Sequence, residues 1–290
     1  MSTSLEDVRE YWAGKNIPQQ WYSDKEPFTL QWFNDLAKKR YELYYEYLKH
    51  FAEFQHHGGE KVLEVGCGLG TDLVEFAKNG AEVYGIDLGE DQVGMTKLNF
   101  ETRNIKYAEI KTGNAEDVPY GDGMFDLVYS FGVLHHTPDT EKALAEIHRV
   151  LKPDGQVIMM LYARGWKHYV KRCLIHGLLL GKWARNGFSW QAVYNDVSEV
   201  HGGSPKTDIY TKGQVKHLFR EFGEVIAEKH RLGEFIEYKP YRSRVMPRFV
   251  KNLLHLFGFE AILGENWFIK AYKATPPEPK SVAAVIFKRY

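Results

Sequence analysis

Two rhythms of apolar and polar positions run along this chain, and the switch between them sets its divisions. Over residues 60–162, short apolar runs alternate with amphipathic stretches through five strand patterns. Val62 to Val65 form the first run, followed by Leu73, Val74, Phe76 and Ala77 along one side of a helix. A second run covers 81–87 and ends in Asp87; the fifth covers 156–161. Such alternation predicts a parallel sheet with helices on both faces.

The flanks read differently. Residues 1–59 are rich in aromatics, and Phe33, Leu36, Tyr41, Tyr44, Tyr45, Leu48 and Phe51 fall near helical spacing. They predict one helix over about 32–54, packed on the sheet edge. Residues 8–28 have a second reading as a lid, in which Pro18 and Pro27 disfavour a continuous helix. Beyond 162 the alternation stops. The 163–210 stretch is too long for a plain connection and is expected to form a cap. Thr211 is placed to cap a helix over 211–222, with strands expected at about 225–232 and 267–272. A second insertion, 236–264, separates them and carries a short basic amphipathic pattern at 248–257. Residues 275–280 read as a stiff spacer before an apolar run at 281–287. The expected divisions are therefore 1–59, a core of 60–162, a cap of 163–210, the end of the core at 211–274 and a tail of 275–290.

Candidate chemistry concentrates at 61–71, Lys-Val-Leu-Glu-Val-Gly-Cys-Gly-Leu-Gly-Thr. Glycines at 66, 68 and 70 let a ligand lie directly against the backbone amides of a turn. Asp87, at the carboxyl end of the second strand, is placed to accept hydrogen bonds from ribose hydroxyls. Both features suit a nucleoside cofactor. The NAD fingerprint needs glycine at its sixth position, where Thr71 stands here. Glu64, two residues before the first glycine, would repel a pyrophosphate but suits the ammonium and sulfonium end of S-adenosylmethionine.

Five segments in order carry a family resemblance. They are 62–72, 83–88, Gly-Asn-Ala-Glu-Asp-Val-Pro at 113–119, 125–136 ending in Leu-His-His, and 144–155 ending in Lys-Pro-Asp-Gly. Together they resemble the class I S-adenosylmethionine-dependent methyltransferases, nearest to the small-molecule enzymes of quinone and natural-product type. The resemblance implies an α/β fold: a Rossmann-like seven-stranded sheet with helices on both faces and a helical cap insertion. It implies that Glu64 and the loop of Gly66, Cys67, Gly68 and Gly70 hold the methionyl part, and that Asp87 takes the ribose, with Leu88 against the adenine face. Asn114 and Ala115 should meet the adenine edge, Asn114 standing where many relatives carry Asp; Ser130 and Phe131 should border the methionine portion.

His135 and His136 lie just past the fourth strand and are the catalytic candidates. A neutral imidazole accepts a proton near neutral pH. The other reading has one of them bonding backbone before a helix begun at Thr137 and Pro138. No metal is expected: the acidic residues that hold Mg²⁺ after strand four in catechol enzymes are replaced, and the paired histidines lack zinc spacing.

Charge narrows the partners. Lys plus Arg equals Asp plus Glu, 38 each, so no global field favours nucleic acid. Two cysteines, no signal-like start and no long apolar run point to a soluble protein of a reducing cytoplasm, without a membrane span. The 164–185 stretch holds six basic residues and no acidic one. It suits an aromatic or lipid-like substrate with an acidic group, peripheral contact with a membrane, or an ordinary solvated face. The expected activity is methyl transfer to an oxygen or carbon of an apolar or aromatic small molecule. The alternatives are a small-amine N-methyltransferase and a non-catalytic cofactor-binding partner subunit. Oligomeric state is open.

Overall fold

Seven strands, β1 (Lys61–Val65), β2 (Glu82–Asp87), β3 (Glu109–Thr112), β4 (Phe125–Phe131), β5 (Leu151–Tyr162), β6 (Val225–His230) and β7 (Asn266–Tyr272), form one sheet in the computed structural model. Its order is β3-β2-β1-β4-β5-β7-β6. The first five run parallel, and β7 is antiparallel to both β5 and β6. Strand order reverses between β1 and β4, which opens a crevice beyond their carboxyl ends where such sheets bind ligands. The structure describes residues 3–13, 23–45, 47–165, 176–178, 181–198, 203–230 and 264–274. The basic pattern at 248–257, the 275–290 tail and most of the apolar-basic stretch at 166–183 lie outside the described residues.

Nine α-helices are described: α1 (Leu5–Trp12), α2 (Leu30–Lys39), α3 (Leu48–Ala52), α4 (Thr71–Lys78), α5 (Glu90–Thr102), α6 (Thr140–Val150), α7 (Lys182–Arg185), α8 (Trp190–Val197) and α9 (Lys212–Leu218). One sheet face buries Leu48, Leu73, Phe76 and Phe100 of α3, α4 and α5 against Val62, Leu127 and Ile158. The other buries Leu144 and Ile147 of α6 and Val215 of α9 against Leu63, Val128 and Val157. Period-two alternation along the strands divides their residues between these two cores. The cap is represented by α7 and α8, where Val193 and Tyr194 are buried and Trp183 stacks on Trp190. Among the described residues no helix is long and apolar enough to cross a membrane.

Three expectations change. The helix expected over 32–54 is broken: α2 stops at Lys39, a π turn covers Arg40–Tyr44, and α3 follows. The turn closes with the Tyr45 amide donating to the Arg40 carbonyl at 2.8 Å, a five-residue step that takes the chain out of the α register. Nor does α2 lie on the sheet edge. Trp32, Phe33 and Leu36 pack with Leu69 of the glycine loop and with Met95 and Leu98 of α5. Finally, α6 begins at Thr140, not at Thr137–Pro138, because the Asp139 side chain accepts from the Lys142 amide and is the stronger cap.

Candidate active site

The glycine loop joins β1 to α4, and its glycines all have positive φ: +80° at Gly66, +53° at Gly68 and +67° at Gly70. At Gly66 an added Cβ would lie 2.3 Å from Val133, so that position tolerates no side chain. At Gly68 an added Cβ would meet nothing within 4 Å, which leaves open space above the turn. The loop is pinned from below by α5. Thr96 donates to the Gly68 carbonyl at 2.9 Å, and Asn99 to the Leu69 carbonyl at 2.8 Å. Cys67 offers a ligand only its backbone. Its side chain is buried beside Thr96 and Gly85, and burial pushes its thiol well up.

Asp87 ends β2 beside this loop. One carboxylate oxygen accepts from the Gly68 amide at 2.9 Å and the other from the Gly89 amide at 3.2 Å. Each oxygen keeps a lone pair for another donor. Burial raises its pKa from the ordinary carboxylate value against the pull of these amides. Next to it, Leu88, Gly89, Asp91 and Thr112 line a cavity of about 390 Å³ that Arg9 and Ala13 close from the N-terminal side. The Gln92 side chain donates to the Trp12 carbonyl, and Trp12 packs 4.9 Å from the His136 ring. Thr3 reaches the Pro205 carbonyl at 3.1 Å. The segment that opens the chain therefore touches both the β2 end and the cap. Sequence reasoning reached it only as part of a lid over 8–28.

Glu64 is the penultimate residue of β1, at 4 % exposure. Its Oε2 has no hydrogen-bond partner among the described residues. Burial raises it strongly; nearby Asp72 adds to this, Arg40 opposes, and Asp87 adds again. Beside it sits a second buried carboxylate with a full set of partners. Asp72 receives Arg40 through two nitrogens, Nε at 2.7 Å, and the hydroxyls of Tyr41 and Tyr129 at 2.7 Å each. The π turn brings Arg40 and Tyr41 together onto this one group. Arg40 also lies 4.6 Å from the Phe131 ring centre. No sequence signal linked Arg40 to Asp72, which lie 32 positions apart.

The remaining predicted residues divide. Ser130 donates to the Val65 carbonyl at 2.9 Å and is buried, so its side chain ties β4 to β1. Phe131 packs edge-on to Tyr45 at the end of β4. Asn114 accepts from the Glu116 amide at 3.0 Å and so shapes its own turn, with Ala115 buried behind it. His135 is fully buried and stacks on Tyr162 at 3.9 Å. His136 Nδ1 bonds the Lys206 carbonyl at 2.8 Å and faces the Thr207 hydroxyl at 3.2 Å. Burial lowers His136 to about 4, the Lys206 carbonyl opposing and the Lys206 charge assisting.

That shift has a sign. A histidine whose folded value lies below its unfolded one supports the fold above about pH 6.5, and this support disappears as pH falls towards 4. The expected loss is about 3 kcal/mol. Urea unfolding of the wild type and His136→Gln at pH 7 and pH 4.5 checks it: the substitution should flatten the acid slope. An unchanged slope would place the acid sensitivity elsewhere.

A Rossmann-like sheet with a glycine turn at its switch point, a carboxylate after β2 and a buried acid before the turn defines a nucleoside-cofactor protein. Comparison with known proteins carries this further. The family described as a methyltransferase domain matches residues 63–159. An uncharacterized methyltransferase of Synechocystis is 33% identical over 146 residues, 49% of this chain and 64% of that protein. The ubiquinone biosynthesis O-methyltransferase of Pseudomonas aeruginosa is 36% identical over 115 residues, 39% of this chain and 48% of that one. The chain thus spans about half to two thirds of the length of these relatives. A solved S-adenosylmethionine-dependent methyltransferase of Methanosarcina mazei superposes with a TM-score of 0.51 at 16% identity, covering 78% of this chain and 97% of that one. Residues 63–159 are thus similar to a methyltransferase domain, and the chain shares its fold with a solved methyltransferase dependent on S-adenosylmethionine.

The residues present fit that cofactor. The orphaned Glu64 oxygen suits a cationic group, the space over Gly68 admits a ligand against the backbone, and Asp87 retains acceptor capacity for a diol. Among the described residues no group of three or more His, Cys, Asp or Glu could hold a metal.

Proposed function

We propose that this protein transfers a methyl group from S-adenosylmethionine to an oxygen or carbon of an apolar or aromatic small molecule. The observation that carries the reading is Glu64, a carboxylate buried at the mouth of the glycine turn with one oxygen unpartnered among the described residues. When bound, the cofactor supplies an activated methyl on a sulfonium leaving group. The chain has then to hold the reactants in line, exclude water and take up a proton.

Glu64 receives the ammonium end, Asp87 the ribose diol, and Leu88 the adenine in the cavity closed by Arg9 and Ala13. His135, on the Tyr162 side of the pair, is the candidate base; His136, low in basicity and tied to Lys206, orients the turn that carries it. The acceptor's chemistry is supported by the rings around Phe131 and by the ubiquinone O-methyltransferase among the relatives.

Calorimetric titration with S-adenosylmethionine, S-adenosylhomocysteine and NAD tests the reading. The first two should bind and NAD should not. Because Glu64 must ionise to meet an ammonium group, affinity should rise with pH through its raised value, and binding should release a proton. Glu64→Gln should abolish the proton release. Binding of NAD alone, or of none of the three, overturns the proposal.

A further inference from the structure

We infer that Asn266 is the anchor for the acceptor molecule, donating its side-chain amide to a ring oxygen distant from the methylated atom. The inference rests on the methyl-transfer reading for its orientation but stands on its own geometry.

Asn266 opens β7 at the carboxyl edge of the sheet, between Tyr162 of β5 and His230 of β6 in register. These three residues share the face that carries Met160 and Phe268, two residues further back along the strands. Phe131 pairs with Met160, so the anchor lies about 7 Å outward and two strands, about 10 Å, across from the end of β4. The surroundings are aromatic. Phe131 and Phe268 lie 5.8 Å apart, Tyr47 packs 4.8 Å from Phe268, and His230 stacks on Tyr47 at 5.0 Å. His135, the candidate base, stacks on the Tyr162 ring on the other side.

Within this box of rings Asn266 is 1 % exposed, and its Nδ2 has no hydrogen-bond partner among the described residues. A buried donor left unmade is costly, and a fold gains nothing by keeping one between aromatic side chains. A neutral amide NH₂ has only donors to offer, so it selects a lone pair: a hydroxyl, carbonyl or phenolate oxygen on a planar ligand. The corresponding acceptor is an aromatic or quinone-like ring carrying an oxygen besides the reacting atom.

Phenol and toluene serve as probes, the second lacking only the oxygen. In ¹⁵N-labelled protein, with and without S-adenosylhomocysteine, the Asn266 side-chain amide is assigned by its loss in Asn266→Leu. It should move on titration with phenol and stay in place with toluene. Asn266→Leu should weaken phenol binding about tenfold, as for one neutral hydrogen bond, and leave the urea midpoint unchanged or raised. An amide indifferent to phenol overturns the inference, as does a lowered midpoint, which would make the side chain a structural group. Failure of wild-type protein to bind S-adenosylhomocysteine would sink the methyl-transfer reading alone, because the phenol shift and the midpoint are read without it.

Discussion

Arg40→Ala is expected to lower unfolding stability by about 3–5 kcal/mol, more than most single surface-to-core truncations. Among the described residues Arg40 is the cation paired with Asp72, and it holds that carboxylate bidentately at 2 % side-chain exposure. With the guanidinium gone, Asp72 keeps two phenolic donors but loses its cation in a buried site that already contains Glu64. Taking away one partner of a buried pair leaves an uncompensated charge, whereas removing both can be nearly neutral. Urea unfolding of Arg40→Ala, Asp72→Asn and the double variant separates the two cases. The double variant should recover part of the loss. A drop below about 1 kcal/mol for Arg40→Ala would mean that Asp72 is satisfied by its tyrosines alone. The site adds a second consequence. Arg40 opposes the upward shift of Glu64, so its loss should also move the pH dependence of cofactor binding to higher pH.

The second large effect is expected at Asp87. Asp87→Ala should weaken S-adenosylhomocysteine binding by a hundredfold or more. A charge-assisted hydrogen bond to a ribose hydroxyl contributes about 1.5–3 kcal/mol, and this carboxylate can take two. It also organises its own surroundings, since the Gly68 and Gly89 amides both point at it. Truncation therefore removes a ligand contact and loosens the loop that forms the rest of the cradle. Asp87→Asn should fall between, keeping the shape while losing the charge. Calorimetry on both variants gives the ranking; equal affinity in Asp87→Ala and wild type would remove Asp87 from the cofactor site.

The core was legible because each of its signals is local. Apolar runs of period two, glycines at 66, 68 and 70 and the carboxylate closing 81–87 all lie within a few residues of what they determine. The structure places β1, β2, β6 and β7 within two residues of the expected bounds among the described residues. What escaped depends on which way a side chain turns. Cys67 and Ser130 sit in the expected loop and strand end, yet one faces α5 and the other β1. Arg40 and Tyr41 were read as part of one continuous helix, since no pattern in their sequence marks a π turn. Their partner Asp72 closes the 62–72 segment, where nothing in the local pattern points to Arg40. Asn266 stands one position before the strand expected at 267–272, where a lone polar residue carries no periodic signal. Asp139 outranked Pro138 as the start of α6 because a cap needs an acceptor facing the N2 or N3 amide, a matter of geometry more than of residue type.

Cys67 lies at the centre of the glycine loop, but its sulfur faces inward against Thr96 and Gly85 and its thiol is held well above its ordinary value. Nucleophilic attack requires the thiolate and an open approach, and this sulfur has neither in the folded chain. Alkylating reagents will therefore find it only when α5 and the loop separate. Its labelling rate is a clock for opening of the cradle, readable at one residue and independent of any acceptor.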